Sequence, residues 1–501
     1  VTGEAIEDII EDAELSDEGS DSADEEIIED QTEVVTEEQT EADTEVVSEE
    51  LTEAVTEVAA EESAEVTDEQ PEIAESETEE QTEITTEVTE LMTEVITESE
   101  VKALNSVARA TTGKLTEGVV GGSLEYESDG EAITITKAVG TIVSAVIPES
   151  IDGVPVTAIG DSAFNQKACA NTLMEITLPD TIVSIGKNAF SDRVQLITIN
   201  MPSSLQVIGN NAFDGCSRLK TLDMRGITLT EMGTGVFKDC ISLTGVNTGG
   251  DTSCFYLPSG LTILPKDTFS GCTRLQNVSG LEGIEKIDES AFEGCEFFDQ
   301  IYIPSSVTEI GKSAFNGCTR MVTVTGCEQL GTLGDRVFNG CTSLINLPVD
   351  IMEQRISAWG TSVFNGCTSL RDFKIPTHVY EIPDNTFSGC IMLQDMEIPD
   401  NIQRVGVSAF ENCTSLTKVD LTTQLNLNII EKEAWRGCTG VTEVTIVAPN
   451  LRGIDANAFS ECTSLKTAAI TSECPDGLSL GGGVFGACTA LKDCTFNAKY
   501  E

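Results

Sequence analysis

Histidine is almost absent: one residue, His378, in 501. That excludes a His-rich metal site and any mechanism needing two imidazoles, and it makes every His-dependent triad rest on His378. Basic residues are also scarce, at 28 against 86 acidic ones, and the first hundred residues contain none. That segment carries 40 of the acidic residues and has no Cys, Phe, Trp or Tyr. The formal charge of −58 therefore divides into −40 over residues 1–100 and −18 over the remaining 401. A chain this acidic has no basic footprint for nucleic acid or for an anionic membrane. Long apolar runs are missing too. The longest stretch without a charge, Val194–Phe213, contains Gln195, Asn200 and Pro202, so no direct membrane insertion is expected. The chain opens on Val1 with no visible targeting segment and closes on Lys499-Tyr500-Glu501 with no apolar tail, so no lipid-type or spanning anchor is expected there. There is no G-x-S-x-G elbow, P-loop, H-E-x-x-H or EF-hand loop. Paired carboxylates are unavoidable in so acidic a chain and carry no specificity. Catalytic, cofactor-binding and metal sites are all expected to be absent, and the chain is not expected to be an enzyme.

A segment without aromatics and with one sign of charge cannot bury enough apolar surface to offset chain entropy. Residues 1–105 are therefore read as a disordered, acidic, Thr/Glu-rich stalk or spacer. Its order is not random. Thr-Glu recurs every four residues at Thr32, Thr36, Thr40 and Thr44, and again at Thr52 and Thr56. Like charges at i,i+4 oppose a helix. A self-repelling spacer is the plain reading; an O-glycosylated stalk and a diffuse cation binder are the sharper alternatives.

What the chain does have is a repeat. Fourteen aromatic residues recur at Phe164, Phe190, Phe213, Phe237, Phe269, Phe292, Phe315, Phe338, Phe364, Phe387, Phe410, Trp435, Phe459 and Phe485, with a modal spacing of 23. An apolar residue stands five before each marker, as in Ile185 and Ile310. Apolar residues also follow at six and nine after it, as in Leu196 and Ile199. A unit this short cannot close a core alone, but stacked units can, because equivalent apolar positions then lie on one another. Leu196-x-x-Ile199-x-Met201 alternates as a short strand does, and the following Pro202 ends its ladder. Ile208-Gly209 gives a second extended piece, and Ala212–Cys216 suits one helical turn. The expected product is a curved right-handed solenoid with one extended parallel sheet, over residues 144–501.

Cysteine falls on the same lattice. Twelve of 17 Cys sit three residues after a marker, from Cys216 to Cys488. Equivalent inward positions have parallel Cβ vectors, which are poorly placed for bridging. The expectation is a ladder of inert buried thiols. With no C-x-x-C and one His, structural zinc is not expected. Cys169, Cys254, Cys327 and Cys474 lie off the ladder and stay open for bonding, while Cys494 falls on an apolar repeat position. Residues 113–143 read as an N-terminal β-hairpin cap, with strands around Ser128-Asp129-Gly130.

Ile147-Pro148-Glu149-Ser150-Ile151-Asp152-Gly153-Val154-Pro155-Val156-Thr157-Ala158-Ile159-Gly160, followed by Ser162-Ala163-Phe164, resembles the opening of a BspA-type leucine-rich repeat array. Ile303-Pro304-Ser305-Ser306-Val307-Thr308-Glu309-Ile310-Gly311-Lys312-Ser313-Ala314-Phe315-Asn316-Gly317-Cys318 is similar to that family's repeat almost position for position. The resemblance covers about residues 113–495. Two units depart from it with Lys167 and Arg193 in place of Cys, and the unit between Phe237 and Phe269 carries nine extra residues. The resemblance implies a leucine-rich repeat fold and a bacterial or protist surface protein that binds proteins or host matrix. It carries no catalytic residues.

The outward positions of the strand face are the candidate binding surface: Thr198, Asn200, Thr221, Asp223, Asn277, Gln300, Tyr302, Thr323, Lys374, Asp395, Glu397 and Asp420. Trp359 and Trp435 fall on core positions, whereas His378 and Tyr380 fall in a turn and should be exposed. The reading is a monomeric, non-catalytic, extracellular protein-binding or adhesive module on an acidic stalk. The alternatives are an envelope component without a specific ligand and a carbohydrate-binding accessory array; no aromatic stripe favours the latter.

Overall fold

A computed structural model of the protein describes residues 111–165, 171–247, 253–345, 347 and 355–497. All the described residues belong to the second of the chain's two units, Val101–Glu501. The acidic stalk expected over 1–105 lies outside the described residues, as does Cys169.

Each coil of the array is built from the marker outward. The marker rings stack on one another without interruption from Phe164 to Phe485, with centroids 5.1–5.8 Å apart and planes within 18° of parallel. Around each ring the backbone forms hydrogen-bonded turns rather than the single helical turns expected from Ala212–Cys216. The reason is local. The residue two before every marker has a left-handed φ, as at Ser162, Asn211, Ser313 and Gly483. So does the residue two after each marker from Phe190 onward, as at Asp192, Gly317 and Ala487. Alternating left- and right-handed residues turn successive amides to one side. Three N–H groups per coil then donate to the next coil: Asn188 to Asn210 O at 2.9 Å, Phe190 to Ala212 O at 2.8 Å and Asp192 to Asp214 O at 2.7 Å. A helix would turn those donors back onto its own carbonyls.

The residues five before the markers pair in parallel in three runs, broken between Met232 and Leu264 and between Trp359 and Ile382, as Val207–Ile208 does with Glu231–Met232 and Glu309–Ile310 with Thr332–Leu333. The Gly that follows is required by close approach: a Cβ on Gly209 would fall 2.5 Å from Lys187 N and 2.7 Å from Gly186 C. The outer strand face is also parallel, but it is not one sheet as expected. Glu175–Thr177 pairs with Thr198–Ile199, Gln300–Ile303 with Thr323–Gly326, and Lys418–Leu421 begins a four-stranded run to Asp493–Asn497. Ser253–Tyr256 pairs in parallel with Val278–Ser279 between the first two groups, and the described groups are not joined to one another. Insertions account for one break. The extra residues after Phe237 form an antiparallel pair, Val246–Asn247 with Ser253–Tyr256, and drive Phe255 into the core edge-on to Phe269 at 4.9 Å.

Three strands close the N-terminal end: β1 (Thr111–Leu115), β2 (Val119–Ser128) and β3 (Ile133–Val146), paired antiparallel in sequence. The long β3 imitates a whole coil. Its start pairs with Val154–Ile159 and its end with Glu175–Thr177. Between them, Ala138 N donates to Ala163 O at 2.7 Å, meeting the first turn's carbonyl.

Candidate binding face

The interior is inert. Eleven ladder thiols are buried and Cys488 is half-buried; every one donates Sγ–H to the carbonyl of the marker one coil back, at 3.0–3.3 Å. Cysteine thus supplies both a small apolar body and a weak donor for a second carbonyl lone pair. Burial pushes the thiols of Cys341 and Cys438 up to about 12. It raises their buried neighbours Cys318 and Cys413 likewise, so the thiolate form is suppressed at these buried positions. The 16 described cysteines are all free. Cys494, on an apolar repeat position by sequence, is exposed instead, because no described residue stacks beyond Asp493–Asn497. Arg193 stands in place of Cys, as the sequence shows. It occupies a ladder position and is fully buried, and only its place three after Phe190 signals that it points inward.

The outer strand positions divide into three groups. Thr198, Thr221, Gln300, Tyr302, Lys374 and Glu397 are exposed, whereas Asn277 and Thr323 are half-buried. Gln300 and Tyr302 lie on one strand beside Thr323 and Thr325 of the next, and Tyr302 is 55% exposed. The remaining polar groups are exposed but engaged within the fold. Asn200 Nδ2 donates to Leu178 O at 2.8 Å and its Oδ1 accepts from Leu178 N at 2.7 Å, so its amide staples two coils together. Asp223 is held by Arg225 through its Nε and guanidinium, at 2.8 and 2.6 Å. Arg225 in turn lies 5.5 Å from the Tyr256 ring centroid. Its two hydrogen bonds hold the Asp223 carboxyl below the usual range. Asp420 accepts from Thr422 Oγ1 at 2.8 Å, which lowers it likewise.

Lys374, Asp395 and Glu397 come together. They line a cleft of about 820 Å³ with Asp372, Asp400 and the partly buried Met396. Here the outer stretches of two consecutive coils form no strand, although their inner strands Ala358–Trp359 and Glu381–Ile382 each pair in parallel with a neighbouring coil. Gln394 N still donates to Arg371 O at 2.9 Å, but no backbone bond joins Asp372, Phe373 or Ile375 to Asp395–Ile398. On the far side Asp395 replaces the backbone, accepting from Thr417 N at 2.6 Å and from Thr417 Oγ1. The exposed turn bearing His378 and Tyr380 separates this cleft from a smaller one of about 480 Å³. That one is lined by Trp359, Tyr380 and Arg404, among others. Trp359 and Trp435 are buried, and Trp359 Nε1 donates to Glu381 O at 3.1 Å. Among the described residues no cluster of His, Cys, Asp or Glu is arranged to hold a metal ion, and no helix is long and apolar enough to cross a membrane.

The stacked turns with their aromatic and thiol columns agree with a family model, the BspA type leucine rich repeat region, which matches residues 141–256, 249–371 and 357–492. The chain belongs to the BspA-type leucine-rich repeat family. No curated protein matches it in sequence. Among solved structures it is similar to a leucine-rich repeat protein from Bacteroides ovatus, at 24% identity and a TM-score of 0.58, over 74% of this chain and 98% of that one. A leucine rich cell surface protein from Faecalibacterium prausnitzii is 23% identical over 72% of this chain and 94% of that one, with a TM-score of 0.46. The first likeness concerns the fold. Membership of the BspA-type family makes this chain a repeat module.

Proposed function

We propose that this BspA-type array is a non-catalytic protein-binding or adhesive module, displayed at the cell surface on the acidic segment 1–105. The observation that carries the reading is the outer strand face. Its side chains project from a rigid ladder whose apolar partners are all inward, so Gln300, Tyr302 and their neighbours can be contacted without disturbing the core. Tyrosine supplies contact area at little entropic cost, and Tyr302 is the large aromatic that stands open on this face. A stalk of one charge sign extends by self-repulsion and would hold the array away from the surface bearing it.

The test is surface plasmon resonance with the full chain against a panel of purified extracellular matrix proteins. Saturable binding is expected, weakened at least tenfold by Tyr302→Ala with no change in the circular dichroism spectrum. Absence of saturable binding by a folded array would favour the passive envelope component.

A further inference from the structure

We propose that the pocket at the break between the inner strands Ala358–Trp359 and Glu381–Ile382 binds a neutral saccharide. Tyr380 is its stacking platform, and the side-chain amides of Gln403 and Asn428 are its hydrogen-bonding partners. The site lies on the inner strand face and stands independently of the protein-binding reading of the outer one.

The pocket exists because one rung of the inner ladder is missing. At a closed rung the residue four before the marker donates to the preceding coil, as Gly360 N does to Leu333 O and Gly406 N to Ile382 O, both at 2.8 Å. Pro383 stands at that place in the coil of Phe387 and has no N–H to give. The amide seven before the marker also donates across, as Gln403 N does to Tyr380 O at 2.7 Å, but no backbone amide of the described residues reaches Ser357 O. Trp359 bridges the gap with its side chain instead, through the Nε1 bond to Glu381 O. Its indole thereby lines a cavity of about 480 Å³.

Tyr380, Gln403 and Asn428 line the same cavity from one equivalent position, seven before Phe387, Phe410 and Trp435. In the coils of Phe237 and Phe315 that position holds a threonine tied back to the coil before: Thr230 Oγ1 to Gln206 O at 3.2 Å and Thr308 Oγ1 to Glu285 O at 3.3 Å. Here it holds a ring that is 63% exposed and two longer side-chain amides with no hydrogen bond among the described residues. At about 4.8 Å per rung the three side chains span about 10 Å, the reach of a short glycan rather than of a single small solute. The charges in the pocket are matched to one another. Arg404 Nη1 donates to Glu381 at 3.1 Å, and its Nη2 to Glu431 at 2.7 Å and to Asp384. Three carboxylates around this guanidinium repel an anion, and the guanidinium repels a cation entering beside it. A neutral ligand rich in hydroxyl groups fits what is left. Its C–H faces pack on the Tyr380 ring, its oxygens accept from the Gln403 and Asn428 amides, and its O–H groups donate to their carbonyl oxygens and to Ser357 O.

The test uses the full chain carrying Trp435→Phe, which restores the marker residue of the other coils and leaves Trp359 as the one indole. Isothermal titration calorimetry gives the affinity, and Trp359 fluorescence gives the place. The probes are cellotetraose, mannotetraose, chitotetraose and maltotetraose, with tetragalacturonate and choline as the anionic and cationic comparisons. At least one neutral tetrasaccharide should bind saturably and shift the Trp359 emission, with an affinity that does not change between low and high salt. Tyr380→Ala should weaken it about tenfold or more, and Gln403→Ala with Asn428→Ala about fivefold or more, with the circular dichroism spectrum unchanged in both. Tyr302→Ala should leave it as it is. The inference is overturned if no neutral probe binds saturably, if Tyr380→Ala binds as well as its parent, or if choline or tetragalacturonate binds more tightly than every neutral probe. The outer face is judged separately, by Tyr302→Ala on matrix proteins, so failure at this pocket leaves that reading standing.

Discussion

Replacing Phe315 by Ala removes one ring from the middle of the marker stack. Phe315 is fully buried, between Phe292 at 5.2 Å and Phe338 at 5.6 Å, with Phe298 at 6.4 Å. Truncating a buried Phe costs about 3–5 kcal/mol, a figure that already contains the lost stacking. In a solenoid each coil touches only its neighbours, so the loss should be felt locally. The thiol ladder makes this measurable, because every coil from Phe213 onward carries one thiol that is protected while the coil is closed. At about 1.4 kcal/mol per tenfold, opening of the Phe315 coil should rise by two to three and a half orders of magnitude. Labelling with N-ethylmaleimide, mapped by mass spectrometry, should therefore speed up at Cys295, Cys318 and Cys341 and hardly change at Cys216 or Cys438. Phe485→Ala is the control. That ring is half-buried and has one stack neighbour, Phe459 at 5.6 Å, so the cost should be roughly half and confined to Cys462 and Cys488. A rise at Cys318 below about tenfold, or an equal rise at all twelve thiols, would refute nearest-neighbour stacking as the source of stability.

Other outcomes follow from the same geometry. In the native protein Cys494 should be alkylated first and half-buried Cys254 next, well before the buried ladder thiols, while under denaturing conditions all 17 should react. Gly209→Ala should lower stability by about 1–3 kcal/mol through backbone collision, whereas Gly317→Ala meets nothing nearer than 3.8 Å and should cost only the strain of its left-handed φ; thermal melts of the two variants check this. Burial, then the neighbouring Asp239, raises the Asp214 carboxyl above its ordinary value. The folded state therefore binds that proton more tightly than the unfolded state, and the charged form opposes folding above the folded value. Asp214→Asn should stabilise the protein at pH 7, with the gain shrinking as pH falls through the raised folded value towards the ordinary one; a gain that grows on acidification would contradict the assignment.

Much of the fold was legible in the sequence because one residue pattern is read fourteen times. The marker, the apolar residue five before it and the Cys three after it each report an environment that neighbouring coils reproduce. The conformation between them was less legible. Ala212–Cys216 has helix-compatible residues, but the left-handed φ at Asn211 and Gly215 turns the amides along the stack instead of back into the turn. The site was legible as a face and not as a set of available groups. Period-two alternation placed Thr198, Gln300, Tyr302 and Glu397 outward. It gave no sign that Asn200 would bond across to Leu178, that Asp223 would pair with Arg225, or that Asp395 would bond to Thr417.

By itself, then, the sequence determined the repeat, its inward columns and the side of the strand that meets solvent, because these depend on spacing within a coil and on identity with the next. Only the tertiary structure decided which rungs of the outer ladder close, where the cleft opens, and which terminal positions lose their cover. Those depend on how two coils of unequal length and composition meet, and on a single carboxylate, Asp395, outcompeting a backbone carbonyl for the same donors.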